Sequence, residues 1–122
     1  MQLTRSIGQI AISDFRLWDH IRNSLEKHAL DQAKVADLLV QLPGWQLAAD
    51  GKAIVKDFKF RDFHHTLGFI NAVGFMANQE DHHPDLEAGY GHCQILWSTH
   101  DVGGLSLNDF ICAARVEVLL EH

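Results

Sequence analysis

The chain has 122 residues, 47% of them hydrophobic, enough to bury one ordinary core and too few for two. Ten Lys and Arg against 16 Asp and Glu give a formal net charge of -6, so no nucleic acid is expected as a ligand. No apolar run approaches the roughly 20 residues that span a bilayer, and no membrane contact is expected.

The first amphipathic pattern runs from Asp14 to about His28, with Phe15, Trp18, Ile21 and Leu25 at three- to four-residue spacing. A second helix is predicted from Asp31 to Leu42, with Val35, Leu38 and Leu39 on one face, and Pro43-Gly44 stops it. A short strand from Trp45, the Asp50-Gly51 turn and an alternating run from Ala53 to Phe60 read as a β-hairpin.

Asp62 is a plausible N-cap for the longest helix, whose expected stripe is Phe63, Leu67, Ile70, Val73 and Ala77, widened by Phe69 and Met76. Gly68 and Gly74 are costly inside a helix, and close approach to a neighbouring element would give a reason for them. The pattern breaks at His82-His83-Pro84, because proline pushes the preceding residue toward extended backbone. Gly89 to Thr99 alternates again, with Ile95, Trp97 and Thr99 on one face and Gln94, Leu96, Ser98 and His100 on the other. Gly103-Gly104 turns the chain. Ser106 with Asp109 then has capping-box spacing before a last helix from Leu107 to about Leu119. This order predicts an α+β two-layer sandwich with helices on one face of an antiparallel sheet.

Cys93 and Cys112 have neither CxxC spacing nor the company of a disulfide framework, which fits a reducing compartment. Met1 to Ser13 lacks a continuous apolar segment and a cleavage site, so a cytoplasmic location is expected. Leu120-Glu121-His122 resembles a purification-tag remnant and is set aside.

Nine histidines are the compositional anomaly, since imidazole titrates near neutrality. His82 and His83 lie near a helix C-terminus, where the dipole favours imidazolium, and His100 arrives from another part of the chain. Such groups suit general acid/base chemistry, in which one imidazole delivers a proton and another takes one. A His-His pair alone is more often a surface or structural feature than a catalytic one, and least often a metal site.

His82-His83-Pro84, then Tyr90, His100 and Asp109 at their spacings, resembles the signature of the pterin-4a-carbinolamine dehydratase family. Leu42-Pro43-Gly44-Trp45, the stretch from Phe58-Lys59-Phe60 to Phe69, Ser98-Thr99-His100-Asp101 and Gly104-Leu105-Ser106 are similar to that family too. The resemblance covers roughly 31–119 as one domain, with 1–30 as an extension bearing an amphipathic helix and 120–122 as the tag-like remnant.

It implies four antiparallel strands backed by three helices in a homodimer or homotetramer, to which the amphipathic pattern before residue 31 adds an extra N-terminal helix. It further implies a pterin substrate, no cofactor and no metal, with tetrahydrobiopterin recycling for an aromatic amino-acid hydroxylase as the pathway. Carried over by position, His82 and His100 are the acid and base, and Asp109 orients a neighbouring imidazole. His83, Tyr90, Ser98 and Thr99 bind or support the substrate. Asp109 keeps its structural explanation as partner of Ser106. Two positions depart from the family: Asn78 stands where an acidic residue is frequent, and Leu86 where an aromatic is frequent.

The other features have plainer readings. His64, His65 and His92 are expected to be solvated, Trp18, Trp45 and Trp97 to fill the core, and Cys93 to carry no reactive thiolate. A metal hydrolase using His82, His83, His100 and Asp109 is the enzymatic rival, although adjacent histidines diverge on regular backbone. A dimerisation or interaction module of the same fold is the rival from another class.

Overall fold

The structure, a computed structural model, describes residues 11, 12, 14–16 and 29–120. The helix expected from Asp14 to about His28, Trp18 included, lies almost wholly outside the described residues.

Asp31 caps helix α1 (Gln32–Leu39) by accepting from the Lys34 N–H, and Val35 and Leu38 are its buried residues. The chain turns at Gly44, whose φ of +88° favours glycine, into strand β1 (Gln46–Leu47) and strand β2 (Ile54–Lys59). Helix α2 (Phe63–Glu80) follows, then strands β3 (Asp85–Ala88) and β4 (His92–Trp97), a 3₁₀ turn (His100–Val102) and helix α3 (Leu107–Leu119). The four strands form an antiparallel sheet in the order β1-β2-β4-β3. The expected α+β class, with three helices against a four-stranded antiparallel sheet, is the observed one.

The core lies between the sheet and the helices. Ile54 and Phe58 of β2 and Cys93, Ile95 and Trp97 of β4 meet Phe69, Val73 and Met76 of α2 and Phe110, Ile111 and Val116 of α3. Phe58 packs on Trp45 and Phe69, with ring centroids 5.9 and 4.9 Å apart, so one aromatic chain ties hairpin to helix. Lys56, in phase with Ile54 and Phe58, escapes burial of its charge by reaching Glu117 of α3 at 2.9 Å. The extension also joins the core: Ile12 is buried, its N–H donating to Gln41 Oε1 at 2.8 Å. The Arg115 guanidinium pairs with Glu80 and lies 4.4 Å from the centroid of Phe15.

Three expectations are corrected. The buried face of α2 is Thr66, Phe69, Val73, Met76 and Ala77, whereas Phe63 and Leu67 are exposed. Apolar residues on more than one side of a helix leave its inward face undetermined, and Phe63 and Phe75, 48% and 68% exposed, occupy the outer side. Gly68 and Gly74 have no close neighbour, since an added Cβ would meet nothing within 4 Å. The strand expected from Gly89 to Thr99 is the shorter β4, and a further strand, β3, precedes it at Asp85–Ala88, an edge strand with all four residues exposed and no alternation to read.

The glycine that close approach does require is Gly91. A Cβ there would lie 2.7 Å from the Phe60 carbonyl oxygen, and its own carbonyl accepts the Phe60 N–H at 2.8 Å. Gly91→Ala should cost ~1–3 kcal/mol through overpacking. Gly68→Ala should instead stabilise by ~0.5–1 kcal/mol, the helix-propensity difference, with both read from urea midpoints.

At the start of α2 the Asp62 carboxylate accepts from the His65 backbone N–H at 2.9 Å and bonds the His65 ring at 2.6 Å. Those two bonds, the backbone one first, hold its pKa below the ordinary 3.8. A value lowered on folding means that the cap's contribution is complete above 3.8 and is lost as pH falls through the folded value. Amide exchange at His65 should quicken in that acid range; exchange insensitive to acid would show that the carboxylate does not hold the cap.

Candidate active site

The site assembles where three elements end. Helix α2 stops at Asp81, which adopts left-handed backbone (φ 51°), and the His82 N–H reaches back to the Ala77 carbonyl at 3.2 Å. This six-to-one bond closes the helix as a Schellman turn and redirects the chain. Pro84 keeps His83 out of helical backbone, so the histidine pair leaves the helix on an extended path into β3.

His82 turns inward. Its Nε2 lies 2.6 Å from Asp109 Oδ1, and its ring stacks on Trp97 with centroids 5.5 Å apart and planes 12° apart. Its side chain is 14% exposed, while Asp109 and Trp97 have no exposure at all. The carboxylate fixes one edge of the imidazole and the indole fixes its plane. With the Nε2 hydrogen committed to Asp109, Nδ1 is the nitrogen of the neutral ring left to exchange a proton.

Asp109, third residue of α3, has two further partners. Its Oδ2 accepts the Thr99 hydroxyl at 2.7 Å and the Ser106 backbone N–H at 2.9 Å. The second bond is the carboxylate half of the expected capping box, so Asp109 starts the helix and holds His82 together. Thr99 reaches Asp109 because it bridges to Gly104, which folds the 99–106 segment back on itself.

The remaining expected residues are distributed unevenly. His83 is exposed, and its Nε2 bonds Asn78 Oδ1 at 3.0 Å, so the residue that departs from the family pattern touches a histidine of the motif. His100 stands in the 3₁₀ turn rather than at a strand end. With Ser98, Thr99, Asp85, Leu96 and Lys52 it lines an open cavity of about 600 Å³, within the range of small-molecule sites. Among the described residues, the hydrogen bonds that hold His82 do not extend to His83 or His100.

Two substrate-binding expectations meet a different geometry. Thr99 spends its hydroxyl on Asp109 and Ser106 inside the protein. Tyr90 lies in the β3–β4 turn, 70% exposed and stacked on Phe63, at the opposite end of the strand pair from His83 and Ser98. The five residue steps from Asp85 to Tyr90 put it on the order of 15 Å from the cavity end within one chain.

Trp97 and Ser106 belong to the site without having been read as part of it. The capping-box spacing signals Ser106, but only the folded chain shows an indole face behind His82.

The bland readings of other groups agree with the geometry. His64 and His65 are exposed, as is His92, 3.9 Å from Asp57. Burial first and the Asp57 charge second push the Cys93 thiol up, which disfavours a thiolate. Among the described residues no three His, Cys, Asp or Glu side chains form a metal-binding group, and no helix is long and apolar enough to cross a membrane.

Comparison with known proteins agrees on one family. The family model described as Pterin 4 alpha carbinolamine dehydratase matches residues 28–119. A relative from Xanthomonas oryzae pv. oryzae (strain MAFF 311018), provisionally named pterin-4-alpha-carbinolamine dehydratase, is 52% identical over 95 residues, 78% of this chain and 80% of its own. Another with that provisional name, from Xylella fastidiosa (strain 9a5c), is 48% identical over 97 residues, 80% of this chain and 84% of its own. A crystal structure of a transcriptional coactivator/pterin dehydratase from Brucella melitensis superposes with a TM-score of 0.73 at 28% identity, covering 75% of this chain and 98% of that one. A pterin dehydratase-like protein described as a RuBisCO assembly factor in the alpha-carboxysome shares the fold, with a TM-score of 0.56 at 22% identity over 64% of this chain and 90% of that one. The chain belongs to the pterin-4a-carbinolamine dehydratase family.

Proposed function

We propose that the protein is a hydro-lyase that converts 4a-hydroxytetrahydropterin to quinonoid dihydropterin and water. One imidazole protonates the 4a-hydroxyl as its C–O bond breaks. The lone pair of the adjacent ring nitrogen forms the new C=N bond, and a second imidazole takes that nitrogen's proton. No electrons are gained or lost overall, and the reading needs no cofactor or metal. His82 and His100 are the acid and base, Asp109 orients His82, and His83 and Ser98 contact the pterin.

The observation that carries this reading is His82, pinned through Nε2 to a fully buried carboxylate, beside a segment whose next residue, His100, lines a cavity of ligand size. An imidazole anchored by one nitrogen is suited to moving a proton at the other. The same reading places the protein in the cytoplasm as a homodimer or homotetramer, recycling tetrahydrobiopterin for an aromatic amino-acid hydroxylase.

A second reading, a pterin-binding or dimerisation module with altered or no dehydratase activity, draws on the exposed Phe63, Leu67 and Phe75 of α2. It also draws on the coactivator part of the Brucella protein's name. One assay separates the two readings: the ultraviolet rate of dehydration of freshly generated 4a-hydroxytetrahydropterin. The wild type should accelerate it, and His82→Ala and His100→Ala should each lose roughly 100-fold, the scale of a general acid or base. Folded wild type without acceleration would remove the enzymatic reading and leave the module.

A further inference from the structure

We propose that Thr99 is a positioning residue that, through Asp109, fixes which nitrogen of His82 carries its proton. A count of hydrogens sets the direction of the bonds among these residues. Ionised Asp109 only accepts, so of the two groups 2.7 Å apart, Thr99 Oγ1 and Asp109 Oδ2, the hydroxyl must donate. Thr99 has one hydroxyl hydrogen and has spent it. The Ser106 hydroxyl, 2.7 Å from Thr99 Oγ1, is therefore the donor in that pair.

The chain of bonds acquires one direction: Ser106 to Thr99, Thr99 to Asp109. The Ser106 backbone N–H meets Oδ2 as well, so that oxygen is filled by two donors and Oδ1 faces His82 Nε2. With two donors already on Oδ2 the carboxylate needs no proton of its own, so the shared hydrogen belongs to His82 Nε2 and Nδ1 of the neutral ring is left bare. Because Thr is β-branched, its stiff χ1 holds the hydroxyl on that line.

The role differs from substrate contact, since the hydroxyl points to protein partners on both sides. It also differs from helix capping, which Ser106 and Asp109 accomplish through backbone N–H without Thr99.

The test uses ¹⁵N-histidine NMR on the full chain, wild type, Thr99→Val and Thr99→Ser, with the dehydration assay alongside. The neutral His82 ring of the wild type should bear its proton on Nε2, seen as a protected, downfield N–H. In the valine variant that signal should broaden or split between tautomers, and kcat should fall about tenfold or more, the scale of one hydrogen bond to a charged group, with KM nearly unchanged. Serine should restore both.

A wild-type ring protonated on Nδ1 would overturn the proposal, as would a folded valine variant that keeps both the wild-type tautomer and kcat. The wild-type spectrum and the serine variant decide the matter even where valine fails to fold. Only the kinetic arm rests on the dehydratase reading. The expected tautomer in a protein without dehydration activity supports the proposal and removes that reading alone.

Discussion

A carboxylate without solvent access is the constraint around which this end of the molecule is built. Removing an ion from water costs several kcal/mol even after relaxation, and only close partners offset it. Asp109 obtains them from three separate places: the end of α2 through His82, the end of β4 through Thr99, and its own helix start through Ser106. Each element end is therefore fixed with reference to the other two. The Schellman turn at Asp81, the bridge between Thr99 and Gly104, and the first turn of α3 form one cooperative unit.

That unit divides the histidines by burial. His82 has an indole on its face and a carboxylate on its edge, so its position is set before any ligand arrives. His83 and His100 are exposed, and the His83 ring bonds the Asn78 amide oxygen, itself on an exposed residue.

Much of this was legible in the chain because it is local. Asp31 and Asp62 as caps, Asp50-Gly51 between two strands, and Ser106 with Asp109 before α3 are short-range chemistry whose outcome does not depend on distant residues. The motif from His82 to Asp109 named the family for the same reason, being text rather than geometry. What remained hidden was decided at a distance. Nothing in Asp85-Leu86-Glu87-Ala88 marks a strand, because an edge strand with every side chain exposed carries no alternation. The apolar residues of α2 do not say which side meets the sheet, and Phe63, Leu67 and Phe75 are placed outward by packing elsewhere. The direction of the Thr99 hydroxyl required residue 99 to be folded back on residue 106, and Tyr90 could be placed only once the register of β3 on β4 was known.

The ion pair between Arg115 and Glu80 gives the extension a mechanical connection to the site. Glu80 is the last residue of α2, one position before the left-handed turn that delivers His82, and the same guanidinium rests on the ring of Phe15. Stacking of a cation on an aromatic ring contributes ~0.5–2 kcal/mol, comparable to what separates neighbouring rotamers or a frayed helix turn from a closed one. A stretch of chain before the family's matched region at residue 28 thus touches, through Arg115, the residue that precedes the turn into the histidine motif. Two proteins that share the histidine motif but differ in their leading segments would differ in what supports the turn that presents it.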